Sequence, residues 1–184
     1  MESSTLVLLH GFGVRGFFWD QVRPYFEESF SHVLSPDLDT RDITTLIDTT
    51  KELIRARAEG DGAAVSLVGH SLGGIIAAIA ARDLGPETVE QIAVVASPFG
   101  ERQNLPGPVI RFLLKHHLIP AVFTRPKFFS EHTPVELQKE LFDRAVDETP
   151  ELMSVAFRKR CFHTDFFTEP LKQGSLVIYS EDDR

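Results

Sequence analysis

Short apolar runs alternate with amphipathic stretches over the first part of the chain. Thr5–His10 reads TLVLLH, and SHVLSPDL, AVSLVGHS and QIAVVASPFG follow, the first of these three stopped by Pro36. A further run, SLVIYS, occupies Ser175–Ser180. Leucine-rich and β-branched runs of this length suit strands buried on both faces of a parallel sheet. Between them Ile43, Leu46, Ile47, Ile54 and Ala58 recur at helical spacing, with Gly60 as the expected C-cap. The stretch LGGIIAAIAARDLGP is small and apolar, as a helix packed hard on a sheet should be, and it ends at Gly85-Pro86. Strand, helix, strand, helix with right-handed crossovers predicts a doubly wound, mostly parallel α/β sheet.

The alternation breaks after Gly100. From Glu101 to about Lys172 no strand-like run is visible, only helical stretches interrupted by Pro106, Pro108, Pro120, Pro126, Pro134 and Pro150. A helical insertion between two strands of one sheet is the simplest reading. It divides the chain into a first part of the core (1–100), an insertion (101–173) and a returning core strand (174–184) that leaves the core incomplete.

Composition narrows the function classes. The 184 residues suffice for one domain with a substantial core. Nineteen basic against 27 acidic residues leave a net charge of −8, and no Lys/Arg cluster tracks one face, so nucleic acid and anionic membranes are poor partners. Cys161 is the single cysteine, which rules out an internal disulfide and fits a reducing compartment. The start, MESSTLVLLHGFG, lacks a basic n-region, and no apolar stretch is long enough to span a membrane. The expectation is a cytoplasmic protein acting on a small molecule, with its oligomeric state open.

The sharpest chemical signal is VSLVGHSLGG, Val65–Gly74. It holds G-x-S-x-G as Gly69, His70, Ser71, Leu72 and Gly73, with a strand-like run before it and a helical one after it, the context a nucleophile elbow requires. A sharp strand-to-helix turn would expose the serine oxygen above the sheet edge. The glycines let neighbouring backbone pass, and the helix N-terminus favours developing negative charge. The second signal is LLHGFGVRG, Leu8–Gly16, at the end of the first strand. Acyl transfer needs two backbone N–H groups aimed at the tetrahedral oxyanion. Leu72, after the nucleophile, supplies one, and Phe12 in this glycine-rich loop is the best candidate for the other.

With HGFG, the later Trp19, GHSLGG and VIYSEDD in this order, the chain resembles the α/β-hydrolase superfamily over residues 5–184. That resemblance implies an acid after the strand that follows the cap, usually as G-x-x-D. Ser180 stands in place of the glycine and Asp183 at the acid position, with Asp182 as runner-up and Glu101 ranked below both. It also implies the order serine, acid, histidine, yet no histidine follows Asp183. His10 belongs to the oxyanion loop, His70 to the elbow and His32 to a strand start, while His116, His117, His132 and His163 fall in the insertion. Their spacings match no metal site. Three explanations are open: the sequence is part of a longer chain, a second chain supplies the histidine, or the protein is a hydrolase-like binder without a base. The first is favoured.

Ten of the fifteen phenylalanines lie between Phe99 and Phe167. The resemblance makes the insertion a cap over the serine, and a phenylalanine-rich cap suggests an apolar acyl or alkyl group in the pocket. Most of these rings would form the cap's own small core, whereas Gly11, Phe12 and Phe99 follow core strands and are the better candidates for the site wall. The expected activity is hydrolysis of a carboxylic ester or thioester by Ser71 with Asp183, with no metal or organic cofactor. The alternatives are C–C hydrolase, lyase or perhydrolase chemistry on the same scaffold, and an inactive binding protein or fragment.

Overall fold

The computed structural model describes residues 4–38, 41–99, 107–116, 118–119, 129, 132–156 and 171–179. Five strands form one parallel sheet: β1 (Thr5–Leu9), β2 (His32–Leu34), β3 (Val65–His70), β4 (Val89–Val95) and β5 (Gly174–Ile178), in the order β2-β1-β3-β4-β5. The chain starts at β1, steps outward to β2, then returns past β1 to β3, so the winding reverses there, as the alternating pattern predicts for a doubly wound sheet.

Alternate residues of each strand serve different layers. Val7 and Leu9 of β1, Val65 and Leu67 of β3, and Val89, Ile92 and Val94 of β4 pack with α2 (Ile43–Asp61) and α3 (Leu72–Leu84). Leu6, Leu8 and Val68 face the opposite side, where Trp19, Phe18, Phe26 and Phe30 cover them. These rings come from a 3-10 turn (Gly16–Trp19), from α1 (Arg23–Glu27) and from the loop after it. Each fully buried aliphatic side chain of these strands contributes about 1.5–3 kcal/mol of burial free energy, and the partly buried Phe18, Phe26 and Phe30 contribute less.

α2 starts where Asp42 caps it, accepting the Thr44 and Thr45 N–H groups at 2.9 Å each. It runs past the expected Gly60 cap and ends at Gly62, which takes the left-handed conformation at φ 65° and ψ 22°. Gly60 has no atom within 4 Å of a virtual Cβ and sits inside the last turn. The physical reason for the difference is that the cap needs positive φ, which Gly62 provides, and the apolar spacing carries no information about φ. α3 ends at Gly85, as its Gly-Pro signal predicts.

Between β4 and β5 the described residues contain three helices, α4 (Pro108–Lys115), α5 (Val135–Asp143) and α6 (Pro150–Ala156). Leu152 of α6 is 0% exposed and belongs to the core cluster under α2 and α3. The chain then re-enters the sheet, held at the turn by Gln173 Nε2 donating to the Ala81 carbonyl at 2.6 Å. β5 departs from the expectation of a strand buried on both faces. Every residue of it is exposed, and Val177 retains 62% of its surface. It pairs with β4 along one edge, and among the described residues neither core cluster extends to it. Among the described residues no helix is long and apolar enough to cross a membrane.

Candidate active site

Ser71 occupies the one-residue joint between β3 and α3. Its backbone lies at φ 53° and ψ −119°, a left-handed geometry that costs a non-glycine residue about 1–3 kcal/mol. Hydrogen bonds on both sides hold it there. Its N–H donates to the Val95 carbonyl at 2.9 Å, and its own carbonyl accepts the Gly74 N–H at 3.1 Å. Close approach does the rest. A Cβ on Gly69 would overlap the Gly73 backbone, and one on Gly73 would overlap the carbonyls of Leu9 and His10. Only bare glycines let the first turn of α3 sit against the end of β1.

The same packing brings the glycine loop after β1 to the serine. A virtual Cβ on Gly11 would stand 2.9 Å from Ser71 Cβ and 3.2 Å from the His70 carbonyl oxygen. Phe12 follows, partly buried against the main core. Leu72 is the first residue of α3, so its N–H has no intrahelical acceptor. The loop and the elbow therefore meet, as the sequence motifs require.

His10 explains how the loop is oriented. It is 2% exposed and accepts the Leu38 N–H on Nε2 at 3.1 Å, which leaves Nδ1 as the protonated nitrogen, donating to the Gly11 carbonyl at 2.9 Å. Burial is the largest influence on this imidazole and pushes its pKa below the usual value of 6.5. The neutral tautomer thus suits both partners. Because a trans peptide sets its C=O and N–H in opposite directions, fixing the Gly11 carbonyl also fixes the direction of the Phe12 N–H. Both ring nitrogens of His10 are thus engaged by backbone groups. His70 lies with its ring stacked on Phe18, centroids 4.5 Å apart.

A cavity of about 300 Å³ opens beside His70 and Val95. Phe17, Phe18 and Trp19 of the 3-10 turn form one wall, and Leu137, Glu140 and Leu141 of α5 form the other. Arg144, just after α5, pairs with Asp20 at 3.0 Å while its guanidinium lies 4.2 Å from the centre of the Phe17 ring. Gly11 and Phe99 do not line this space. Phe99 is 40% exposed and follows Ala96, a second non-glycine residue at positive φ (46°), and Ser97. The Phe17–Phe18 pair carries no motif in the sequence, and its aromatic character beside the glycine loop was the only available signal.

Asp183, Asp182 and Glu101 lie outside the described residues, as do His117 and His163. Among the described residues no group of three or more His, Cys, Asp or Glu could hold a metal ion.

A family model described as the alpha/beta hydrolase family matches residues 6–184. The chain belongs to that family. It is 30% identical over 198 residues to Methylesterase 7 of Arabidopsis thaliana, an alignment that covers 98% of this chain and 74% of that protein. Among solved structures, a 2-hydroxy-6-oxo-6-phenylhexa-2,4-dienoate hydrolase from a Rhodococcus strain superposes with a TM-score of 0.73 at 22% identity, covering 96% of this chain and 73% of that one. An esterase from Exiguobacterium antarcticum gives 0.72 at 18% identity, with 95% and 72% covered. At these identities the structural likenesses establish the fold, and the family membership makes this α/β-hydrolase chain a hydrolase by class.

Proposed function

We propose that the protein is a serine hydrolase of carboxylic esters or thioesters bearing an apolar acyl or alkyl group. The observation that carries this reading is the strained Ser71 joint with the Gly11–Phe12 loop packed against it. In the first step the Ser71 Oγ–acyl carbon bond forms and the bond to the leaving alkoxide or thiolate breaks. The serine proton passes to a histidine base and from it to the leaving group. Water then attacks the acyl-serine by the reverse proton path, releasing the acid. The Phe12 and Leu72 N–H groups hold the oxyanion in both steps, a contribution of about 10²–10³ in rate per donor. Asp183 orients the histidine and stabilises its cation. Residues 101–173 act as a cap, and the cavity between the 3-10 turn and α5 accommodates the apolar group, near the lower bound of the roughly 300–1,000 Å³ usual for ligand sites. The similarity to the Arabidopsis methylesterase makes methyl esters the first substrates to try.

The test uses the full-length protein, a fluorophosphonate probe and methyl and p-nitrophenyl esters of rising acyl length. Covalent labelling and turnover are expected, both abolished by Ser71→Ala. Equal behaviour of wild type and Ser71→Ala in both assays would exclude the serine mechanism.

A further inference from the structure

The segment between α5 and α6 grips the glycine loop from the opposite end of the chain. The Val146 N–H donates to the Gly13 carbonyl at 2.9 Å. The Gly13 N–H donates to Glu148 Oε1 at 2.9 Å, and Arg15 Nη1 donates to the same oxygen at 2.9 Å. Arg15 Nη1 also donates to the Val14 carbonyl at 2.8 Å. Glu148 is 4% exposed. A buried carboxylate is costly unless charge and hydrogen bonds compensate it, and here the compensation comes from the loop that carries a proposed oxyanion donor.

Gly13 is the hinge of that loop. It sits at φ 71°, and both of its peptide groups are engaged, the N–H by Glu148 and the carbonyl by Val146. The N–H of Gly13 and the carbonyl of Phe12 share one peptide plane, so fixing that plane fixes Phe12 ψ. His10 fixes the plane on the other side of Phe12 through the Gly11 carbonyl. The Asp37 carboxylate accepts the Gly16 N–H at 2.8 Å and anchors the loop's far end. Without Glu148 the Phe12–Gly13 plane loses its hold, and the His10–Gly11 bond alone restrains the neighbouring plane that carries the Phe12 N–H.

We propose that Glu148 is a positioning residue for the Phe12 oxyanion donor, so that seating of the α5–α6 segment on the core sets the competence of the oxyanion hole. Glu148 touches no substrate and acts through Gly13 and Arg15. This inference rests on the hydrolase reading above and adds to it a coupling between the substrate-covering segment and the rate of chemistry.

The experiment uses the full-length chain with Ser71→Ala, Glu148→Ala and Glu148→Gln, each checked for folding by circular dichroism. Glu148→Ala is expected to lower kcat about 10²-fold, as for loss of one oxyanion donor, with KM changed less than about threefold. Affinity for a trifluoromethyl ketone, which forms a tetrahedral adduct with the serine, should fall in parallel with kcat. Glu148→Gln keeps an oxygen for the Gly13 N–H and is expected to recover to within about tenfold of wild type. Hydrogen exchange of residues 10–16 should accelerate in Glu148→Ala and not in Glu148→Gln. If Glu148→Ala does not fold, Glu148→Gln with the ketone carries the test, its affinity loss matching its kcat loss. Wild-type activity beside a folded Glu148→Ala that changes KM alone, or nothing, would overturn the positioning role and leave the hydrolase reading intact, as would, where only Glu148→Gln folds, a kcat loss without a matching loss of ketone affinity. A wild type that neither turns over esters nor labels would overturn both.

Discussion

Replacing Gly11 by alanine probes the contact on which the site depends. An ideal Cβ there would stand 2.9 Å from Ser71 Cβ and 3.2 Å from His70 Nδ1 and the His70 carbonyl oxygen. Carbon atoms rest about 3.5–4.0 Å apart, so the loop and the elbow must separate by roughly 0.6–1.1 Å. Ser71 cannot recede freely, since its N–H is held by the Val95 carbonyl and its carbonyl by the Gly74 N–H. Gly11 is not at positive φ, so the alanine backbone itself is unstrained. Overpacking of this kind costs about 1–3 kcal/mol, and for a domain of this size each kcal/mol lowers Tm by about 2–4 °C. Chemistry should suffer more than stability. A misplacement near 1 Å between a catalytic group and the reacting atom costs about 10²-fold in rate. The assay is fluorophosphonate labelling and ester turnover of the full-length protein, well below the Tm of the variant. The expected result is a folded protein with both rates reduced about 100-fold. Rates within about threefold of wild type, under ~0.7 kcal/mol of barrier, would refute the claim that the loop and the serine must touch.

Other consequences are separable by simple measurements. Gly60→Ala is expected to stabilise the protein by about 0.5–1 kcal/mol as an open position inside α2, and Gly62→Ala to destabilise it by about 1–2 kcal/mol through its left-handed φ, both read from urea midpoints. Leu152→Ala should cost about 2–5 kcal/mol, because this residue of α6 is wholly buried in the main core, whereas Val109→Ala, exposed on α4, should change the midpoint by less than about 0.5 kcal/mol. The buried His10 makes stability fall with acidity. Its folded pKa is below 6.5, so the unfolded chain takes up the proton first, and stability declines as pH drops below 6.5 until the folded pKa is reached. His10→Asn should flatten that part of the denaturation profile. Ala96→Gly should be neutral or stabilising by up to about 1 kcal/mol in thermal unfolding, since it relieves a positive φ.

The strands and the elbow were legible because both are written locally. TLVLLH and AVSLVGHS are continuous apolar runs that only a strand covered on both faces can bury, and the G-x-S-x-G glycines sit where the backbone of β1 must pass α3. SLVIYS carries the same local signal, yet its exposure depends on what lies beside β4 and not on its own residues. The C-cap of α2 was misplaced by two residues because Gly60 and Gly62 are indistinguishable until φ is known. The 3-10 turn and α1 are too short for a periodic signal. Glu148 was invisible for a different reason. Its hydrogen bond to Gly13 spans 135 residues, and one glutamate in a polar loop has no pattern that marks it as buried.

Among the described residues, the two non-glycine positions at positive φ share one place and one cause. Ser71 follows β3 and Ala96 follows β4, adjacent strands of the sheet. Each takes positive φ as the chain leaves the ladder, and each is held by a bond to the next strand over. The Ser71 N–H donates to the Val95 carbonyl, and the Ala96 N–H donates to the Ile178 carbonyl at 2.8 Å. Each bond continues the ladder one step past the strand end. Strain of about 1–3 kcal/mol at each residue can persist only where such bonds and close glycine packing over-determine it. The Ser71 joint thus depends on β4, and the Ala96 turn depends on β5, the most exposed strand. Whatever holds β5 in register therefore acts, through β4, on the geometry of the serine.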